Sequence, residues 1–495
     1  MTFIITSLLL LTTSACGQGQ RSVQTIDSLL QLQAQLFDQY AQDAHRQLGL
    51  LVADNHDSLE TDPLVYSYYR EGRPWVWMND GRLLNDAYSL VSYLRQQVPA
   101  MGFAPNVFLL DSISHDLDSL QVNMLDSITQ PAALLARLEL NLSKMYLRYA
   151  AGQHFGFTDP YRLFTRHNFD IALQQADSMF VEQALTQVDA GRALEHLRTL
   201  EPTDSIYYLL RDSMQADSTD TGRQRLLVNM ERRRWRATDT IADGQRHVFV
   251  NIASQNLWAI GPDSVQQMRI CCGKPATKTP LLHSKINKVE VNPEWGIPMS
   301  IIRGEVSGHA GDSAYFARHN YYVTNRSGQR VDPATLTRQQ MASGQYSVRQ
   351  RSGAGNSLGR LIFRFPNKFS VYLHDTNSRS AFNRDRRTIS HGCVRVQHPF
   401  DMARFVLADA DDWMLDRIRL SIDYKPVTER GKQYKREHAG QAIRLVSNAP
   451  VDPQVPVHIE YYTLFPNPKT GKMETWGDPY SYDPLILKAI KPFMP

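Results

Sequence analysis

The sequence predicts an α+β fold: a helical N-terminal scaffold followed by a mixed-β part that a lid interrupts. Three observations carry this reading. Apolar residues recur at helical spacing up to roughly residue 215. Beyond residue 245 they come instead as short β-rich runs separated by turn residues. At 495 residues the chain also exceeds one ordinary domain, so two or three units are expected.

Met1 to Ala15 is apolar and uncharged, and Cys16 follows small residues in TTSAC. This segment (1–16) resembles a bacterial lipoprotein signal, whose cysteine is acylated; the plainer alternative is an ordinary cleaved signal peptide. Either address takes the mature chain out of the cytoplasm. With Gly17 after Cys16, and no acidic residue there, an anchored protein would be expected at the outer membrane, facing the periplasm. The anchor would be the only membrane attachment, since no later apolar stretch is long enough to span a bilayer.

From Thr25 to about Leu50, Ile26, Leu29, Leu30, Leu36, Phe37 and Tyr40 predict an amphipathic helix, with Gln33 as a polar gap. Further helices are expected over Leu83–Gln97, Pro131–Ala151 and Val181–Leu200, making a scaffold of residues 24–211. The polar stretch 212–225 (DSMQADSTDTGRQR) reads as a linker. Strand candidates then follow: HVFVNIA, NLWAI, SVQQMRICC, NKVEVN, RLIFRF, FSVYLHD and IRLSIDY, within a β-rich domain of residues 226–424. Inside it, residues 303–346 are rich in Gly, Ser and Asp and read as a lid. HPFDMARFVLAD should be a helix on the sheet, and VPVHIEYYTLF a last strand pair in a C-terminal extension, 425–495.

Composition excludes some functions. With 54 basic against 50 acidic residues and no long run of one sign, nothing points to nucleic acid. Besides Cys16 there are three cysteines, and no spacing suggests a disulfide framework. Cys271 and Cys272 end a strand candidate and read as small buried apolar residues. Cys393 is left without a structural role.

Cys393 sits in SHGCVRV, and YLHDT lies shortly before it. A thiol titrates above neutral pH, so it needs a base or electropositive surroundings to attack. His374 closes one predicted strand and Cys393 opens another, so neighbouring strands could supply that base, with a third group orienting the ring. Gly392 would let backbone N–H groups approach a developing oxyanion, the Cys393 N–H among them. The alternatives are two satisfied core residues, or zinc held by His374, His391, Cys393 and His398, for which no familiar ligand spacing is completed; no metal or cofactor is expected.

The spacing H-(15 residues)-S-H-G-C-V-R, from His374 to Arg395, resembles the signature of the YkuD-type L,D-transpeptidases. VNMERRRWR, GKPATKTP, NPEWGIP, NSLGRLIFRFPN and the lid with YFARHNYYV are similar to the larger YcbB-like subgroup, whose helical scaffold RPWVW and MGFAP resemble. The resemblance implies that residues 226–424 are a catalytic domain that cross-links peptidoglycan stem peptides (3-3 type) through a Cys393 thioester, releasing D-alanine. It makes His374 the base, the backbone carbonyl of Asp375 its orienting group, and carbapenem-type β-lactams inhibitors. Ser390, His391 and Arg395 fill the remaining motif positions and would bind substrate in the cleft. Tyr372, on the strand face of His374, and Trp295 would line the cleft, with Tyr315 and Tyr322 as further lid candidates. Water as acceptor would make an L,D-carboxypeptidase, and a protein amine an anchoring enzyme; a non-catalytic envelope scaffold is the reading from another class. The small glycan-binding module usual in that subgroup before VNMER has no counterpart here, only the polar stretch.

Overall fold

The structure, a computed structural model, describes residues 39–54, 59, 61–79, 82–121, 129–217 and 219–495. The leader, Cys16 and the first half of the expected helix Thr25–Leu50 lie outside them; residues 39–53 are helical. Among the described residues no helix is long and apolar enough to cross a membrane. The chain forms two compact units: Met1–His154 with Gln175–Pro202 and Pro492–Pro495, and Phe155–Gln174 with Thr203–Lys491.

The first unit is built around the helix Thr129–Phe155. Leu138, Leu142 and Met145 on one face and Leu140 and Leu147 on the opposite face are all buried, so apolar residues pack on both sides, as in a central helix. Its charged side chains survive burial because each is answered. Glu139 accepts from the N–H groups of Val76 and Trp77 and from the Tyr69 hydroxyl, and Arg148 Nε donates to Asp62 at 2.9 Å. The helix expected over Val181–Leu200 is two, Ser178–Asp189 and Ala193–Leu200. Gly191, at φ +69°, takes the left-handed conformation that ends the first.

The second unit is a closed ring of eight strands: β1 (His247–Asn251), β2 (Asn256–Ile260), β3 (Val265–Gly273), β4 (Leu281–Val291), β5 (Leu361–Arg364), β6 (Leu373–His374), β7 (Val394–Val396) and β8 (Asn448–Glu460). Around the ring the order is β5-β6-β7-β3-β2-β1-β8-β4, and β4 returns to β5. β6 with β7 and β1 with β8 are parallel pairs; the other six are antiparallel. Closure leaves no open edge in the ring.

Three expectations are corrected here. The tail is no extension, because β8 is inserted between β1 and β4 and completes the ring; residues 464–466 pair with 473–475 instead of with β8. The stretch 212–225 is no linker: helix Ser205–Ala216 enters it, and helix Asp220–Arg234 starts inside it, capped by Thr219. Polar residues fill the first turns of that helix, and its burial comes after residue 225, where Leu226, Leu227, Val228 and Met230 lie buried beside Asn229, Glu231, Arg232 and Arg234. IRLSIDY alternates like a strand but lies at the end of helix Asp412–Ser421, whose start signal, Asp411 accepting from the Met414 N–H at 2.7 Å, precedes the run.

The inserted segment folds on itself over a wider span than the expected 303–346. A four-stranded sheet joins Arg330–Val331, Tyr321–Thr324, Ser347–Gln350 and Trp295–Gly296, and a separate core holds Ile297, Ile302, Phe316, Met341 and Val348. Burying each such side chain is worth about 1.5–3 kcal/mol, enough together to order a subdomain rather than a loose loop.

Candidate active site

β6 and β7 run parallel with Leu373 opposite Val394 and His374 opposite Arg395. The Val394 N–H donates to the Tyr372 carbonyl at 3.1 Å, which continues the register and sets Cys393 beside Tyr372. Opposed residues of paired strands share a face, and alternate residues of one strand do too. Cys393, Tyr372, His374 and Arg395 therefore form one patch, with His374 diagonal to Cys393. That diagonal is within reach of a ring and a thiol. Antiparallel β5 adds Arg364, whose guanidinium lies 4.4 Å from the centre of the Tyr372 ring and pairs with Glu290 at 2.9 Å.

Both reactive groups rest uncharged. Burial pushes the Cys393 thiol up to about 11, against the Tyr372 backbone N–H and the charges of Arg364 and Arg395, which favour the thiolate. Burial and the Arg395 charge lower His374 to about 4, while the carbonyls of Asp375 and Leu358 act in favour of the protonated ring. His374 Nδ1 makes no hydrogen bond of good geometry, so the Asp375 carbonyl orients the ring only loosely. A neutral thiol beside a neutral imidazole suits proton transfer during attack, under two guanidinium groups that favour developing negative charge.

The turn before Cys393 is fixed by its own groups. Ser390 Oγ donates to the Cys393 carbonyl at 2.6 Å and accepts from the Gly392 N–H at 3.1 Å. Gly392 has φ +124°, which a side chain would strain. Its carbonyl accepts from Thr279 Oγ1 at 2.7 Å, and Tyr480 Oη in turn accepts from the Thr279 N–H at 3.0 Å. Ser390 is thus spent on the turn, and the Gly392 N–H is committed to Ser390 rather than offered to an oxyanion. Among the described residues the Cys393 N–H has no acceptor.

Other sequence candidates fall elsewhere. His391 is exposed and lies 2.9 Å from Glu305 Oε1 of the inserted subdomain, so it links that subdomain to the motif. Trp295 and Tyr315 pack against the subdomain's own core, and Tyr322 donates to Glu294 at 2.7 Å. Trp295 is therefore a plug rather than a cleft wall. His398 precedes helix Pro399–Val406, and among the described residues His374, His391, Cys393 and His398 do not converge on a metal position. Cys271 and Cys272 are fully buried and free, as expected.

Arg364 and Gly359 were missed in sequence. Arg364 sits in an apolar strand run, LIFRF, where a charge is itself a signal. Gly359, at φ +65°, lies so close to the Asp375 carboxylate that a Cβ there would meet it at 2.3 Å. Asp375 Oδ2 also accepts from the Arg360 N–H at 2.8 Å, so this loop braces the strand end that carries His374.

Residues 245–432 match the family model of the YkuD "L,D-transpeptidase catalytic domain", and residues 63–214 match the "Scaffold domain". Residues 245–432 thus carry a YkuD-type L,D-transpeptidase catalytic domain, preceded by the scaffold domain. A relative from Haemophilus influenzae, described as "Putative L,D-transpeptidase", is 28% identical over 325 residues, 64% of this chain. The match spans only 60% of that relative's length. Solved structures similar to this chain include an L,D-transpeptidase from Mycobacterium smegmatis, at 10% identity over 44% of this chain and 58% of that one, TM-score 0.19. L,D-transpeptidase 1 of Mycobacterium tuberculosis gives 12% identity over 44% and 62%, TM-score 0.18. An Ldtfm–avibactam carbamoyl enzyme gives 14% over 31% and 41%, TM-score 0.17. Superpositions this shallow carry no argument about the site.

Proposed function

We propose that the protein is a peptidoglycan L,D-transpeptidase that forms 3-3 stem-peptide cross-links through a thioester on Cys393. The observation that carries this reading is the shared face of Cys393 and His374 on paired parallel strands, in a chain of this family. In the proposed reaction Sγ attacks the amide carbonyl before the terminal D-alanine, and His374 takes the thiol proton. The tetrahedral oxyanion is held by the Cys393 N–H. The C–N bond then breaks, His374 returns the proton, and D-alanine leaves as the free amine. A neighbouring stem amine attacks the thioester, forms the new amide and restores the thiol. Arg395, with a buried Nε that has no partner, is the residue best placed to bind a stem carboxylate; Arg364 is already paired with Glu290.

The test is covalent. A carbapenem should add its mass to the wild-type protein but not to Cys393→Ala; an adduct that survives this change would refute the nucleophile. Muropeptides from cells with and without the enzyme then show whether cross-links, trimmed stems or protein attachments disappear. Loss of trimmed stems alone would make it an L,D-carboxypeptidase. For the envelope address, Cys16→Ala should abolish labelling by a fatty acid and release the protein from the outer membrane.

A further inference from the structure

On the ring wall formed by β4 and β8, His283 stands directly opposite His458. The two imidazoles stack 3.6 Å apart between ring centres, 6° from parallel. One edge of the stack faces Asp239: His283 Nδ1 lies 2.9 Å from Oδ1 and His458 Nε2 lies 3.3 Å from Oδ2. The other edge faces Glu460, whose Oε1 is 2.9 Å from His283 Nε2 and 3.7 Å from His458 Nδ1. The acyl-transfer patch uses none of these groups.

With a metal ion on the Asp239 edge, each ring would give a lone pair to the metal and keep its N–H for Glu460. This is the carboxylate–histidine–metal arrangement, in which an outer carboxylate fixes ring orientation. Glu460 is held in turn by the Tyr462 hydroxyl, which accepts from Arg233 Nη1 at 3.2 Å. The donor atoms of Asp239, His283 and His458 lie within 4.8 Å of one another. Ligands around tetrahedral zinc stand roughly 3.3 Å apart, given bonds of about 2.0–2.1 Å, so the donors are close enough, and the two parallel rings would have to splay apart for their lone pairs to converge on the ion.

We infer that His283 Nδ1, His458 Nε2 and the Asp239 carboxylate bind one divalent transition-metal ion of the zinc class, with Glu460 as the positioning carboxylate. Two imidazoles and one carboxylate suit such an ion better than calcium or magnesium, which take oxygen ligands. The Asp239 side chain is 44% exposed, which opens the remaining position to water. Asp239 lies on the connection from helix Asp220–Arg234 to β1, so the ion would staple that connection to β4 and β8.

The test uses the intact, untagged protein carrying Cys393→Ala, so that the reactive thiol cannot bind metal. Titration with Co2+ should give one equivalent per chain, with visible d–d absorption that Zn2+ abolishes. His283→Ala and His458→Ala should lose the signal, and Glu460→Gln should keep the stoichiometry but weaken binding about 10–100-fold. Asp239→Asn, at the exposed edge and without risk to folding, should weaken it at least about tenfold. Absence of cobalt binding, or binding unchanged in Asp239→Asn and both histidine variants, would overturn the site. Independently, Zn2+ should raise the Tm of the parent protein and leave that of Asp239→Asn nearly unmoved.

Discussion

At the scale of single residues, burial favours the uncharged thiol at Cys393 and the uncharged ring at His374, so in the proposed reaction the thiolate would form during attack. Because burial raises the thiol, the protonated form persists through neutral pH. Alkylation of Cys393 by iodoacetamide should therefore climb about tenfold per pH unit from pH 7 towards about 10, without a plateau at neutral pH. A plateau below pH 8 would show a preformed ion pair. His374, lowered to about 4, stays uncharged above about pH 5, so acylation by a carbapenem should hold its dependence on His374 down to that pH. His374→Ala should slow acylation about 10²–10⁴-fold, measured by mass spectrometry, while Tm changes little. Gly359→Ala should behave in the opposite way to a surface change. A Cβ cannot share space with the Asp375 carboxylate, so both Tm and acylation rate should fall.

At the scale of elements, helix Asp220–Arg234 is held by buried charges as well as by Leu226, Leu227, Val228 and Met230. Glu231 Oε1 accepts from the Thr158 N–H at 2.7 Å and its hydroxyl at 2.9 Å, and Oε2 accepts from Arg234 at 3.1 Å. Arg234 also donates to Tyr207 Oη at 2.9 Å, and Arg232 to Asp483 at 2.6 Å. Removing one partner of a buried pair strands the other, so Glu231→Ala should cost about 3–5 kcal/mol in denaturant unfolding of this unit. The inserted subdomain meets the motif through the exposed Glu305–His391 pair. Glu305→Gln should then change stability by less than about 1 kcal/mol. If the pair holds the subdomain over the patch, the same variant should raise KM for a stem-peptide donor and speed hydrogen exchange in residues 295–350.

At the scale of the whole molecule, the second unit depends on closure of its ring. β8 is hydrogen-bonded to β1 on one side and to β4 on the other, and β4 also pairs with β5. A chain cut after Tyr424, where the strand pattern of the sequence first ends, would leave β1 and β4 as open edges. Such a truncation should yield insoluble or molten protein by near-UV circular dichroism, whereas the full chain gives a cooperative transition. A soluble, carbapenem-reactive product from that truncation would show that the ring closes without β8.

Much of this was readable in the sequence, and for physical reasons. Periodicity found the helix Thr129–Phe155 and strands β1 to β5, because apolar burial imposes a period on each. The motif spacing singled out Cys393 and His374, since a reacting thiol needs a base within hydrogen-bond reach. What the sequence could not report was pairing across the chain. β8 reads as an ordinary late strand, and only its partners make it a wall of the ring. Ser390, His391 and Trp295 read as cleft residues until their contacts showed a turn, a link and a plug. The stretch 212–225 reads as a polar linker because the contacts that hold helix Asp220–Arg234 come from residues far away in sequence, such as Thr158 and Asp483. The group of Asp239, His283, His458 and Glu460 comes from three separate segments and follows no local spacing. Local pattern thus determined most of the elements and singled out the candidate nucleophile. Register and closure, which are set by long-range hydrogen bonds, decided what surrounds them.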